Sequence, residues 1–71
     1  MERILIIGAN GQIGSELVGA LAAQHGAANV IASDIGTVNV YHAARYTQLD
    51  VLDKARLAQL VSDEGITQVY Q

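Results

Sequence analysis

The chain has 71 residues, with four Lys plus Arg against seven Asp plus Glu, a net charge of −3, and no Cys, Pro, Trp or Phe. That is room for one small domain at most, which would bury only about 60% of its unfolded surface and would ordinarily need a staple. No disulfide is available, two isolated histidines (His25 and His42) make no metal site, and the acidic balance argues against a nucleic-acid footprint.

The longest apolar run, Ile4 to Ile7, falls far short of the roughly 20 residues of a membrane span. Met1-Glu2-Arg3 leads into this short run rather than the apolar stretch of about 7 to 15 residues of a secretion signal. The expectation is a soluble, cytoplasmic protein, short for a chain that is 51% hydrophobic.

Arg3 to Gly8 is a continuous, not alternating, β-branched run, so both faces of the strand it forms must be covered, the habit of parallel sheets. It halts at the turn Gly8-Ala9-Asn10-Gly11. From Gln12 the period becomes helical, with Ile13, Leu17, Ala20, Leu21 and Gln24 as the predicted stripe and Gly26 as the stop. Asn29 to Asp34 reads as a second strand ending in an acid, and the unpatterned stretch Asp34 to Ala44 as a loop. Arg45 to Leu49 is a weaker third strand. Asp53 then caps a second helix with Leu57, Leu60 and Val61 on its apolar side. Gly65 ends that helix, and Ile66 to Tyr70 begins a fourth strand. The fold class is therefore α/β, the first half (β-α-β-β-α-β) of a Rossmann-type, doubly wound parallel sheet.

Gly8, Gly11 and Gly14 carry the chemistry. They follow a buried strand and open a helix, and Asp34 ends the next strand 20 positions beyond Gly14. That context points to a bound dinucleotide. Gly8 turns the chain off the strand, Gly11 has no Cβ to hold the pyrophosphate away, and Gly14 lets helix and strand approach closely. The helix N-terminus offers unpaired N–H groups to the phosphates. Asp34 suits the adenosine ribose hydroxyls and repels a 2′-phosphate, which favours NAD over NADP. Asp50, with Val51, stands at the carboxyl end of the third strand. It either accepts a hydrogen bond from the adenine amine or competes with Asp53 for the helix cap. His25 serves as a dipole partner at a helix end. Tyr41, His42 and Tyr46 read as solvated loop residues, with adenine contact as the alternative, and Arg45, Lys54 and Arg56 as surface charge.

Gly8-Ala9-Asn10-Gly11-Gln12-Ile13-Gly14 resembles the cofactor turn of the extended short-chain dehydrogenase/reductases. With Ser15-Glu16-Leu17 and the strand ending Ala32-Ser33-Asp34-Ile35, it is similar to the short-chain type of L-threonine 3-dehydrogenase. The resemblance implies oxidation of the L-threonine β-hydroxyl by NAD⁺, giving 2-amino-3-ketobutyrate, in a homodimer that binds neither nucleic acid nor membrane. It implies that Gly8, Gly11, Gln12, Ile13 and Gly14 meet the pyrophosphate, Asp34 and Ile35 the ribose, and Asp50 and Val51 the adenine. It covers the whole chain but only about the first quarter of a family member. The superfamily's catalytic Tyr and its Lys four positions later have no counterpart: Tyr41 and Tyr46 are followed at that offset by Arg45 and Asp50. Residues 1–71 are thus expected to be the N-terminal part of an NAD-binding domain whose remainder, with the substrate domain, lies elsewhere. The alternatives are the cofactor half of a nucleotide-sugar epimerase or dehydratase, and a non-catalytic NAD-binding module.

Overall fold

Four strands build one parallel sheet, β1 (Ile4–Ile7), β2 (Val30–Asp34), β3 (Arg45–Gln48) and β4 (Gln68–Tyr70), in the spatial order β3-β2-β1-β4. Helix α1 (Gln12–His25) joins β1 to β2, a single 3-10 turn (Ala27–Asn29) precedes β2, and α2 (Lys54–Glu64) joins β3 to β4. The computed structural model describes residues 1–36 and 44–71. The expectations for Tyr41 and His42, and for most of the loop after Asp34, fall outside the described residues.

The continuous apolar character of β1 is explained by its two faces. Ile4 and Ile6 join Ala9, Val18, Leu21, Val30 and Ala32 in one buried cluster beneath α1. Leu5 turns the other way, to Ile31, Leu49 and Leu60 beneath α2, with Ile7 and Leu57 half-buried beside them. The sheet is therefore sandwiched, and each apolar face of β1 meets a different helix.

Helix α1 buries only part of the predicted stripe: Leu21 is buried and Leu17 packs half-buried against the cluster. Val18, Leu21 and Ala22 are its buried residues, Ile13 is 82% exposed, and Ala20 and Gln24 face outward. The reason lies at Gly14. An added Cβ there would stand 2.3 Å from the Gly8 carbonyl oxygen and 3.0 Å from Ala9 Cα. The helix touches β1's exit at that residue, so positions 14, 18, 21 and 22 point inward. For α2 the predicted side holds: Leu60 is buried, and Leu57 and Val61 are half-buried. Asp53 caps it, its Oδ1 accepting from Arg56 N–H at 3.1 Å. Gly65 ends it in the left-handed region (φ +63°).

The amino end of the sheet is closed by charge. Both terminal Arg45 guanidinium nitrogens donate to the Glu64 carboxylate (3.1 Å each), and Arg3 donates to Glu64 Oε1 and to the Glu64 carbonyl, also at 3.1 Å. Arg45, expected as plain surface charge, thus ties α2's last turn to β3, and Arg3 ties it to β1. These bonds, that to Arg45 foremost, hold the Glu64 carboxyl below its ordinary value. Glu2 is held low in the same way, accepting from Thr67 (2.7 Å) and Gln68 (2.9 Å) at the start of β4.

Candidate functional site

At the opposite, carboxyl end of the sheet, the chain leaves β1 through Gly8, whose φ of +82° is the left-handed region that favours glycine. Its N–H and that of Ala9 both donate to the Ser33 carbonyl at 2.9 Å, which fastens the turn to β2. Ser33 itself is fully buried, with its hydroxyl donating to the Ile6 carbonyl at 2.8 Å. Gly11 is the N-cap of α1, in extended conformation (φ −73°, ψ 167°), and supplies no side-chain cap. The first turn holds no acidic residue, and the first hydrogen bond into the helix runs from Ser15 N–H to the Gly11 carbonyl (2.9 Å). The N–H groups of Gln12, Ile13 and Gly14 precede that first bond, as the opening amides of a helix do. Open amides, the positive end of a 14-residue helix dipole and no nearby carboxylate in the first turn make an anion cradle.

Asp34 ends β2 beside this turn. Its Oδ2 accepts from Asn10 N–H at 2.9 Å and its Oδ1 from Ile35 N–H at 2.7 Å. Each oxygen keeps a lone pair beyond these bonds, so the carboxylate can still accept from a ligand hydroxyl. Asp50 lies past β3. Its Oδ1 accepts from Leu52 N–H (2.9 Å) in a local turn, and the helix cap belongs to Asp53. The cap alternative for Asp50 is therefore excluded.

A cleft of about 470 Å³ runs along the carboxyl ends of the strands, lined among others by Gly8, Gly14, Asp34, Asp50 and Tyr70. It brings together seven of the nine residues expected at the site: Gly8, Ile13, Gly14, Asp34, Ile35, Asp50 and Val51. Gly11 and Gln12 lie at the adjoining helix terminus rather than in the cleft wall. The strand order reverses between β1 and β4, so this cleft is the crevice at the topological switch point. Ile13, off the core face of α1, is one of its walls.

The structure corrects the expectation for Tyr46, which is a half-buried residue of β3 and not a solvated loop residue. Its hydroxyl donates to the Gly36 carbonyl at 2.6 Å and accepts from Asn10 Nδ2 at 3.2 Å. Gln48, one inward-outward repeat further along β3, donates to the Ile35 carbonyl at 2.8 Å. Neither Asn10 nor Gln48 figured among the expected site residues. Asn10 is carried there by the glycine turn itself, and Gln48 by the β2–β3 register that sets Asp34 opposite it, a pairing the sequence does not show.

A parallel sheet in the order 3-2-1-4, a glycine turn opening an uncapped helix, and an acid ending β2 define a class: the cofactor half of a doubly wound dinucleotide-binding fold. The chain belongs to the NAD-dependent epimerase/dehydratase family, which it matches over residues 4–71, and the cofactor is NAD. The residues fit that group, because the turn leaves amides and glycine backbone, not side chains, where a pyrophosphate would lie. The chain is 48% identical to the GalE-like L-threonine dehydrogenase of Cupriavidus necator, with a TM-score of 0.88 over 96% of this chain and 22% of that one. It is 38% identical to the L-threonine dehydrogenase of Clostridium difficile (TM-score 0.87; 97% of this chain, 23% of that one). An uncharacterized epimerase/dehydratase of Staphylococcus saprophyticus is 44% identical over 64 residues, which is 86% of this chain and 20% of the relative. The chain thus spans about a fifth of the length of these relatives. Among the described residues no group of His, Cys, Asp and Glu could hold a metal, and no helix is long and apolar enough to cross a membrane.

Proposed function

We propose that residues 1–71 form the N-terminal, cofactor-binding part of an L-threonine 3-dehydrogenase, an oxidoreductase that oxidises the L-threonine β-hydroxyl. The observation that supports this best is the 48% identity to the Cupriavidus necator enzyme, spread over 96% of the chain and not confined to the glycine turn. In this reading the amides of Gln12, Ile13 and Gly14 hold the pyrophosphate, with Gly8 and Gly11 allowing its approach. Asp34 accepts from the adenosine ribose with Ile35 beside it, and Asp50 and Val51 border the adenine. The chemistry that bound NAD⁺ supplies is acceptance of the hydride. The part played by this chain is to orient it: the pyrophosphate is anchored at α1 and the ribose at the end of β2. The amino-acid substrate, the cytoplasmic setting and the homodimer belong to this proposal.

The test is L-threonine-dependent NADH formation by the intact protein that carries these residues. NADH formed from L-threonine and not from UDP-sugars supports the dehydrogenase. Turnover of a nucleotide sugar with no threonine activity would instead select the epimerase/dehydratase alternative, for which the Staphylococcus saprophyticus relative speaks. NAD binding without either turnover would leave a non-catalytic NAD-binding module.

A further inference from the structure

We infer that the Tyr46 hydroxyl is a positioning group for the cofactor, the tie that holds the glycine turn and the segment after β2 in one fixed relation. The inference rests on the cofactor placement proposed above and extends it to a residue that does not line the cleft.

Two pieces of chain must keep their relative position if the pyrophosphate and the ribose of one molecule are to be held together. One is the turn Gly8–Gly11, which leads into the open amides of α1. The other is Asp34–Gly36, which carries the ribose carboxylate. The Asn10 main chain joins them once, through its N–H to Asp34 Oδ2 at 2.9 Å. Tyr46 joins them a second time from a third element. Its hydroxyl accepts from Asn10 Nδ2 on the turn at 3.2 Å and donates to the Gly36 carbonyl beyond β2 at 2.6 Å. One oxygen therefore bonds to both pieces. The ring beneath is anchored, because Tyr46 packs against the buried cluster under α1 and pairs with Ala32 in the sheet. Gln48 donates to the Ile35 carbonyl at 2.8 Å and Leu49 N–H to the Asp34 carbonyl at 2.8 Å, so β3 and the residue just after it grip residues 34, 35 and 36 in succession. Of these three residues, Tyr46 also bonds to the turn.

Removing the oxygen leaves the ring's apolar packing in place and deletes the shared atom. The fold then keeps its core, while turn and ribose carboxylate lose a restraint that binding must restore. The loss falls on ligands that engage both pieces and spares those that engage neither the adenosine nor its ribose.

The experiment compares wild type and Tyr46→Phe in the intact protein, measuring Kd for NAD, ADP-ribose and nicotinamide mononucleotide by calorimetry, and Tm without ligand. The expected result is a loss of about three- to tenfold for NAD and for ADP-ribose, equal within error. Nicotinamide mononucleotide affinity and Tm should be little changed. Asn10→Ala should reproduce the loss, and the double variant should bind no more weakly than the weaker single, since both remove the same link. Should Tyr46→Phe fail to fold, Asn10→Ala carries the same expectations. Wild-type affinity for NAD in both variants, additive losses in the double variant, or an equal loss for nicotinamide mononucleotide would overturn the positioning role. A wild-type protein that binds neither NAD nor ADP-ribose would instead overturn the cofactor placement itself.

Discussion

Gly11 and Gly14 are three residues apart, and they are glycines for different reasons. At Gly14 the fold itself demands it, since a methyl would overlap the Gly8 carbonyl oxygen at 2.3 Å. Gly14→Ala should therefore cost about 1–3 kcal/mol of stability, as overpacked core sites do, read by chemical denaturation. Gly11 has a φ of −73°, and its added Cβ would come no nearer than 3.6 Å to the Gly8 oxygen. Gly11→Val should leave Tm nearly unmoved and abolish NAD binding, because its side chain would fill the space proposed for the pyrophosphate; unchanged affinity would refute that role. Asp34 accepts from Asn10 and Ile35, and in the proposed reading its carboxylate also receives the adenosine ribose. Asp34→Ala should weaken NAD by about tenfold or more and NADP less, because a carboxylate repels the 2′-phosphate and its removal relieves that. Equal losses for the two dinucleotides would sink the ribose assignment.

At the scale of elements, the two helices differ in how much of them spacing alone could orient. The sparse apolar residues of α2 leave one choice of face, and Leu60 is buried as expected. In α1 apolar and small residues occur almost all round, so several stripes fit the sequence equally well. Contact at Gly14 selects the one through Val18, Leu21 and Ala22. Leu21→Ala should accordingly cost about 2–5 kcal/mol in urea denaturation. Ile13→Ala, on an exposed wall of the cleft, should stay within about 0.5 kcal/mol of wild type. A large loss at Ile13 would show that α1 sits rotated from the face described. The reading of Tyr46 failed for a related reason. Tyr46 lies within the predicted third strand, Arg45 to Leu49, but burial along β3 runs exposed, half-buried, half-buried, exposed, so no alternation marks its side chain as an inward one.

For the whole molecule, the two ends of the sheet are built differently. The carboxyl end is open and offers the cleft, while the amino end is cross-linked by Arg3, Glu64, Arg45, Glu2 and Thr67. Both glutamates there are held below their ordinary value, Glu64 chiefly by the Arg45 bond and Glu2 chiefly by Thr67. A group whose folded-state pKa is depressed contributes stability that is complete above its unfolded value and is lost as the pH falls through the depressed one. Stability should therefore be level near neutrality and decline below about pH 4, the ordinary glutamate range. Glu64→Gln should flatten that acid limb when Tm is followed against pH, and an unchanged limb would exclude Glu64 as a contributor. High salt should weaken the same contribution, since these pairs are partly exposed to solvent.

The sequence by itself determined the class of fold and named most of the residues that gather along the cleft. A β-branched run without alternation needs both faces covered, and glycines at three-residue spacing followed by an acid-ended strand leave few other structures that satisfy the backbone. These signals are local: each depends on residues near one another in the chain, whose conformation their own covalent geometry restricts. Tertiary structure alone decided which face α1 buries, that Arg45 and Arg3 share Glu64, and that Tyr46 reaches Asn10 across 36 positions of sequence. Those depend on sheet register and helix docking, which bring together atoms whose separation in the chain carries no information about their separation in space.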